Sequence, residues 1–158
     1  MSSNSTFSWP VRVYYEDTDA GGVVYHSNYL NFMERARTEW LRALGFEQTY
    51  LRDVLKVIFV VHSAQIAFKK PAKFNDLLTI SSEIGKIGQG SLQFLQKISV
   101  NQPSNQPSKQ PSNQLSNQPS HAETVMLVEA TIKVACVDAD TFKPTAIPKE
   151  IKVKMEQL

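Results

Sequence analysis

One amphipathic segment near the N-terminus limits most strongly what this chain can fold into. Its apolar side chains recur at three- and four-residue spacing, which is the pattern of a helix that buries one stripe. They are Tyr29, Phe32, Met33, Ala36, Trp40 and Leu44. Ser27 or Asn28 can cap the start of this helix, and Gly45 follows its end. The sequence therefore predicts one long helix close to the N-terminus.

The other patterned segments predict five strands. Apolar residues alternate with polar ones over 7–15, 77–84, 92–100 and 126–136, and an apolar, β-branched run covers 57–68. Short turns between the later strands indicate an antiparallel sheet. One long helix among five strands predicts an α+β domain of two layers, in which the helix covers one face of the sheet.

Residues 101–120 differ from the rest of the chain. They are five copies of a four-residue unit, NQPS, in which one lysine and one leucine replace consensus residues. Leu115 is the only aliphatic residue, and four prolines lack the amide donor that a strand needs. We predict a disordered or polyproline-like loop between two neighbouring strands, 91–100 and 124–138. The chain is then a single domain, 1–158, interrupted by a dispensable loop.

Charge and cysteine content exclude several classes of protein. With 17 Lys and Arg against 15 Asp and Glu, the net charge of +2 is too small for binding nucleic acid by bulk positive charge. A lone cysteine, Cys136, excludes an intrachain disulfide and a cysteine-based zinc site, and its alternating apolar neighbours predict a core thiol. No apolar run approaches the roughly 18 residues of a membrane helix, and no signal peptide is evident. We expect a cytoplasmic protein without a transmembrane segment.

Two aspartates precede a Gly-Gly turn and the start of the predicted helix. A calcium loop is disfavoured, because Gly21 and Asn28 stand where oxygen ligands are required. A turn-forming role explains Asp17 as readily as a role in the reaction does. Asp19 lies where unpaired helix N–H groups can hold an oxyanion, and a nearby carboxylate can act as nucleophile or general base. This combination is typical of a site that hydrolyses an activated acyl group.

The histidines offer two further candidates. His26 stands at the helix entrance, seven residues after Asp19, where a role in the site and a role in starting the helix are equally reasonable. His62 interrupts an apolar strand, a place more often held by an ordinary sheet residue than by a ligand. No Gly-x-Ser-x-Gly motif is present, so a serine-triad hydrolase has no support.

Two long motifs resemble a known family. They are the segment VRVYYEDTDAGGVVYHSNY from Val11 and the segment ERARTEWL from Glu34, and the likeness continues through FVVHS and PAKFND. The chain resembles the hotdog-fold acyl-CoA thioesterases of the 4-hydroxybenzoyl-CoA thioesterase group, and within it the YbgC-type proteins associated with the Tol-Pal cell-envelope system. The resemblance implies an antiparallel sheet wrapped around one long central helix.

The resemblance also implies roles for individual residues. Asp19 would be the catalytic carboxylate, and the backbone amide of His26 would polarise the thioester carbonyl. Tyr25 and the His26 side chain would line the pocket, with Asp17 in a supporting role. His62 is a candidate for substrate binding. No metal or other cofactor is implied, and the sites would be built at the interface of a homodimer or homotetramer.

The sequence offers several candidates for the contacts of coenzyme A and more than one activity. The turn at 86–90 carries only one charge, so Lys69, Lys70 and Lys73 are the candidates for the phosphates of coenzyme A, Lys70 first among them. Acyl chain length is undetermined. The alternatives to an acyl-CoA thioesterase are a hotdog dehydratase acting on hydroxyacyl thioesters and a non-catalytic module that docks acyl carrier protein or cell-envelope partners.

Overall fold

The computed structural model describes residues 5–103 and 122–158. Its elements follow in order as β1 (Phe7–Arg12), a 3₁₀ turn (Tyr15–Asp17), α1 (His26–Ala43), α2 (Gln48–Asp53), β2 (Val57–Phe68), β3 (Leu77–Ile87), β4 (Ser91–Pro103), β5 (Ala122–Asp138) and α3 (Lys149–Glu156). The predicted order of one strand, a long helix and four more strands is confirmed. The short helices α2 and α3 are additional.

All five strands form one antiparallel sheet in the order β1-β3-β4-β5-β2. α1 lies across one face of this sheet and packs on β1 and β3. The predicted α+β architecture of two layers is therefore confirmed. The predicted hairpin is confirmed too, because β4 pairs directly with β5.

The apolar stripe of α1 forms the centre of the core. Tyr29, Phe32, Met33, Ala36 and Trp40 are all buried, as their spacing predicts. The Trp40 ring stacks on Phe7 of β1 and meets Phe94 of β4 edge-on, with ring centroids 5.8 and 6.1 Å away. No helix of the described residues is long and apolar enough to cross a membrane.

The C-terminal end of α1 is as predicted, whereas its N-terminal end is not. Gly45 follows the helix with a φ of 97°, a left-handed conformation that glycine adopts without strain, as expected of a residue after a helix. The start was predicted at a cap made by Ser27 or Asn28. Instead the helix begins at His26 after an extended Tyr25, and no side chain caps it.

β1 is shorter than its alternating pattern predicts. The strand ends at Arg12, whereas the alternation continues to Tyr15. Val13 is still fully buried, and its N–H donates to the carbonyl of Asp76 at 2.9 Å. The chain leaves the sheet there because the 3₁₀ turn at Tyr15–Asp17 redirects it toward the start of α1.

The first three residues of the repeat belong to β4, which corrects the prediction of a loop from residue 101. Residues 101–103 pair with 122–124 of β5, and Thr124 Oγ1 donates to Asn101 Oδ1 at 2.9 Å. β3 pairs with β4 only as far as Val100. Beyond Val100, β4 pairs with β5 alone among the described strands, and a proline is tolerated in a strand at such an edge. The prediction of disorder for the remainder of the repeat falls outside the described residues.

β2 is an edge strand and contains a bulge. Val61 pairs with Val134 and Ser63 with Lys133, so His62 has no opposite residue. Val134 and Ile132 share the face of β5 that is buried under α1. Ala64 pairs with Ile132. The bulge thus shifts the alternation of β2 by one residue, and even-numbered positions face the helix side beyond it.

Cys136 lies in the core, as predicted from its apolar neighbours. The side chain has no exposed surface, and burial raises the pKa of the thiol to about 11. A neutral, buried thiol is a poor nucleophile. Cys136 is therefore a packing residue.

Candidate active site

The carboxylate of Asp17 is occupied within its own loop. Asp17 Oδ2 accepts the N–H of Tyr14 at 2.8 Å, which closes the 3₁₀ turn. The carbonyl of Asp17 accepts the N–H of Tyr25 and the side-chain amide of Asn28, both at 2.9 Å. These bonds fasten the loop to the first turn of α1. They support a structural role for Asp17 rather than a chemical one.

Asp19 occupies the tip of a tight loop between Thr18 and Val24, which form an isolated antiparallel bridge. Its Oδ1 accepts the N–H of Gly21 at 2.8 Å, and its carbonyl accepts the N–H of Gly22 at 3.0 Å. Gly22 has a φ of 77°, so the turn requires glycine there. Asp19 is exposed, and Oδ2 has no hydrogen-bond donor among the described residues.

The first turn of α1 is left open to a ligand. Tyr25 N–H is held by Asp17, and Asn28 N–H donates to the carbonyl of Tyr25 at 2.9 Å. The N–H groups of His26 and Ser27 have no acceptor within residues 5–103 and 122–158. The first N–H groups of a helix point outward with the positive end of the helix dipole. They are therefore suited to bind an oxygen that carries negative charge.

A pocket adjoins this helix start. It is lined by Val24, His26, Tyr29, Phe68, Lys69, Lys70 and Pro71. Tyr25 lies beside it, with its ring centroid 4.4 Å from that of His26. The structure thus brings three of the predicted residues, His26, Tyr25 and Lys70, to one place.

Tyr29 belongs to this pocket although its spacing in the sequence marks it only as a core residue. Its hydroxyl accepts the N–H of Ala72 at 3.0 Å, and its ring lies 5.7 Å from that of Phe68. Burial raises the pKa of Tyr29, and the carboxylates of Asp76 and Asp19 add to the effect. Asp19 and Asp17 themselves are not among the residues that line this pocket.

The predicted lysines differ in their surroundings. Lys69 Nζ forms an ion pair with Glu129 Oε2 at 2.9 Å. Lys70 is exposed in the pocket and forms no ion pair with the described residues. Lys73 is exposed, and its backbone N–H donates to Asp76 Oδ2 at 2.9 Å. Of these three, Lys70 is the cation that is available beside His26.

His62 does not join the pocket within one protomer. It lies six residues before Phe68 on β2, about 20 Å away along an extended strand. The histidine is exposed at the bulge of the edge strand. Lys86 belongs to β3 and not to the turn in which the sequence placed it. It lines a separate pocket together with Lys133 of β5.

The chain is similar to known thioesterases over nearly its whole length. The thioesterase superfamily model matches residues 21–104. The acyl-CoA thioesterase YbgC of Haemophilus influenzae is 43% identical over 96% of this chain and 96% of its own length. The acyl-CoA thioester hydrolase YbgC of Escherichia coli is also 43% identical, over 98% of this chain and 99% of its own.

Solved structures show the same fold. A probable thioesterase from Bartonella henselae superposes with a TM-score of 0.72 at 31% identity, covering 91% of this chain and 100% of that one. A 4-hydroxybenzoyl-CoA thioesterase superposes with a TM-score of 0.78 at 16% identity, over 95% and 98% of the two chains. The sheet order, the central helix and these relatives together establish that the chain belongs to the thioesterase superfamily, as a thioester hydrolase with the hotdog fold and a member of its YbgC-type group.

Proposed function

We propose that this chain hydrolyses acyl-CoA thioesters to a free acid and coenzyme A, with Asp19 and the start of α1 as its reaction centre. The open first turn of α1 carries the proposal. The N–H groups of His26 and Ser27 have no acceptor in the described part of the chain, and Asp19 lies in the adjoining loop. A thioester carbonyl develops negative charge on oxygen when it is attacked, and such donors stabilise that charge. The names of the relatives support acyl-CoA as the substrate class.

In the first route Asp19 acts as a general base. The carboxylate removes a proton from water as the water oxygen attacks the carbonyl carbon, and the oxyanion forms against the N–H of His26. The tetrahedral intermediate then collapses. The carbon–sulfur bond breaks, the thiolate of coenzyme A departs, and the proton held by Asp19 neutralises it. The products are the acid and the free thiol.

In the second route Asp19 acts as a nucleophile. One carboxylate oxygen attacks the carbonyl carbon, and the thiolate departs from the same tetrahedral oxyanion. The resulting mixed anhydride is then hydrolysed by water, which restores Asp19 and releases the acid. Oδ2 suits either route because no described residue donates to it. Both routes place the carbonyl oxygen at the start of α1.

We assign supporting roles to the residues around the pocket. The Tyr25 ring lies against His26 and forms a wall for the thioester. The Lys70 ammonium lies in the pocket without an ion-pair partner among the described residues, which supports a contact with the phosphates of coenzyme A. His62 can contribute only across an interface, because it lies far along the edge strand from its own protomer's pocket.

We infer a homodimer formed along β2. This strand has no neighbour on its outer side among the described residues, and two of its apolar side chains are exposed, Val61 at 55% and Phe68 at 53%. Long edge strands with exposed apolar residues are prone to pair with another chain. A second copy would extend the sheet and cover these residues. Assembly into a homotetramer stays a prediction. A cytoplasmic location and an association with acyl carrier protein or with Tol-Pal partners also stay predictions.

The experiment that tests this proposal measures thiol release from a panel of acyl-CoA thioesters of different length and from an aromatic one. We expect turnover with at least one class of acyl group. Hydroxyacyl-CoA thioesters distinguish the dehydratase, because loss of water would give an enoyl product with the thioester intact. Binding without either product would favour a non-catalytic module and would contradict the proposal.

A further inference from the structure

The pocket beside His26 is open on the side of the sheet edge. Its walls come from residues around the start of α1 and around the end of β2. Phe68, which belongs to β2, is 53% exposed although it lines the pocket. β2 has no neighbour on its outer side among the described strands. The pocket of one protomer therefore lacks the wall that a chain paired with β2 would supply.

Symmetry limits how a second copy can pair with this edge. A twofold axis relates two neighbouring antiparallel strands only when it is perpendicular to the sheet, so both α1 helices lie on the same face. Directly opposite residues of an antiparallel pair share a face. Beyond the bulge, the helix-facing residues of β2 are Ala64, Ile66 and Phe68. The numbers of two opposite residues there must therefore add up to an even number.

Two features of β2 select one register. The exposed part of the strand covers 61–68, with only position 66 half-buried, whereas 57–60 are buried or half-buried. The midpoint of the exposed part lies between 64 and 65. The pairing with β5 is regular over 63–68, and the midpoint of this regular part lies between 65 and 66. Gln65 is the position that both midpoints adjoin, so the twofold axis belongs there.

This register brings His62 to the pocket of the other chain. With the axis at Gln65, His62 lies opposite the partner's Phe68, and Ala64 meets the partner's Ile66 on the helix face. The alternation beyond the bulge, carried one residue back, puts His62 on that same face. His62 is exposed in one protomer, so its imidazole is available to a molecule bound across the interface.

We propose that the partner's His62 completes the pocket and donates a hydrogen bond to an oxygen of the bound acyl-CoA. The inference rests on the proposed function, because the substrate is the thioester held at His26. An imidazole has at least one N–H in either protonation state, so it can act as a donor throughout the neutral pH range. Each pocket of the dimer then combines Asp19 of one chain with His62 of the other.

Substitution of His62 should weaken substrate binding and leave the reaction itself in place. His62→Ala should raise KM about fivefold with kcat near that of the wild type, because one hydrogen bond to the substrate is lost. Ser63→Ala is the matched control. Ser63 is the neighbouring exposed residue, and it faces the opposite side of the sheet, so its variant should keep the wild-type KM.

Mixed dimers distinguish a contact across the interface from a contact within one chain. Two affinity tags isolate the dimer of one Asp19→Asn chain and one His62→Ala chain. If His62 acts across the interface, this dimer has one intact pocket and should show the wild-type KM at about half the wild-type kcat. The reciprocal dimer joins a wild-type chain to a chain with both substitutions, and its one active pocket should show the raised KM. The opposite pattern would overturn the inference.

Single cysteines on β2 test the register without a measurement of activity. Opposite residues of an antiparallel pair have Cα atoms about 4.5–5.5 Å apart, within the range of a disulfide. The chain's own Cys136 is buried and does not compete. Gln65→Cys should give a disulfide-linked dimer on oxidation, whereas Ser63→Cys should be linked only when it is mixed with Ala67→Cys. Linkage of Ser63→Cys by itself, or of none of these variants, would overturn the inference.

The outcomes separate this inference from the reaction on which it rests. An unchanged KM in a folded, dimeric His62→Ala variant would overturn the inference and leave the proposed function intact. Failure of the wild type to release thiol from any acyl-CoA would contradict the proposed function, and the cysteine linkages would still decide the register.

Discussion

The two carboxylate oxygens of Asp19 have different surroundings, and this difference shapes what a substitution there should do. Oδ1 accepts the N–H of Gly21, whereas Oδ2 is open. Asp19→Asn retains an oxygen that can hold Gly21 but removes the negative charge. We expect the variant to fold normally and to lose about 10²–10⁴-fold in kcat, measured by thiol release.

Glu16→Gln is the matched control for this substitution. Glu16 is an exposed carboxylate in the same loop region, and its side chain makes no hydrogen bond to a described residue. Its amide variant should keep the wild-type kcat, so that a loss in Asp19→Asn cannot arise from the change in charge of the loop. An Asp19→Asn enzyme with unaltered turnover would remove Asp19 from the mechanism.

The backbone and the side chain of His26 can be tested separately. His26→Ala keeps the N–H that we assign to the oxyanion and should retain appreciable kcat. His26→Pro deletes that N–H and should lose about 10²–10³-fold. Position 26 is the first residue of α1, where a proline is tolerated. Tyr25 before it has φ −64° and ψ 133°, an extended conformation that a residue preceding proline adopts without strain. Circular dichroism checks the fold, and equal losses in the two variants would assign the role to the imidazole.

Among the candidate residues, those fixed by local chain geometry could be predicted from the sequence. Asp19, Tyr25 and His26 lie within eight residues of one another around a Gly-Gly turn, so their proximity follows from the order of the chain. Tyr29 could not be recognised in this way, because its helical spacing marks it only as a core residue. Only tertiary packing brings it to the pocket, where its hydroxyl accepts the N–H of Ala72.

At the scale of the elements, the register of the β4–β5 hairpin allows a precise deletion. Residues 103 and 122 are directly opposite each other, so replacing 104–121 with Asn-Gly leaves a two-residue hairpin loop. This design keeps residues 101–103, which belong to β4 and not to the loop. Because closing a shorter loop costs less entropy, we expect unchanged kcat/KM and an equal or slightly higher melting temperature.

The comparison for this deletion is a variant in which 104–121 is replaced by a flexible Gly-Ser segment of equal length. It should match the wild type in turnover, because neither loop contacts substrate in our proposal. A several-fold loss of kcat/KM in the folded and correctly assembled deletion would show that the repeat takes part in function.

The regular elements could be predicted because their side chains repeat with one period over many residues. The apolar stripe of α1 repeats often enough to exclude a strand, and the alternation of β3 and β5 repeats often enough to exclude a helix. The short helices α2 and α3 contain only one or two turns, too few for a period to be recognised. The end of β1 and the extension of β4 depend on what lies beside each strand, which the local sequence does not contain.

For the whole molecule, the two edges of the sheet differ in a way that predicts how copies associate. β1 carries Pro10, which cannot donate a backbone hydrogen bond, whereas β2 has no proline and is twice as long. We expect the wild-type chain to be at least a dimer by light scattering. Ala64→Lys with Ala67→Lys on β2 should reduce the measured mass to that of a monomer and lower kcat.

Lysines on the opposite edge give the control. Thr6→Lys with Ser8→Lys adds the same charge at exposed positions next to and within β1 and should leave the mass unchanged. A fully active monomeric wild type at the assay concentration would contradict the dimer. A loss of mass in both double variants would indicate an effect of charge rather than of the β2 edge.

The unpaired His62 makes the number of residues in β2 as important as their identity. Three steps from Val61 to Ala64 match two steps along β5. Deleting His62 would leave two steps to match two, so Phe68 would keep its pairing and its face toward Tyr29, and only the bulge would disappear. Deleting Gln65 with the bulge kept would instead turn Phe68 to the opposite face of the sheet, and the proposed pocket would lose one wall. The effect of a deletion in this strand therefore depends on whether the extra residue is the one removed, which substitution at any single position would not detect.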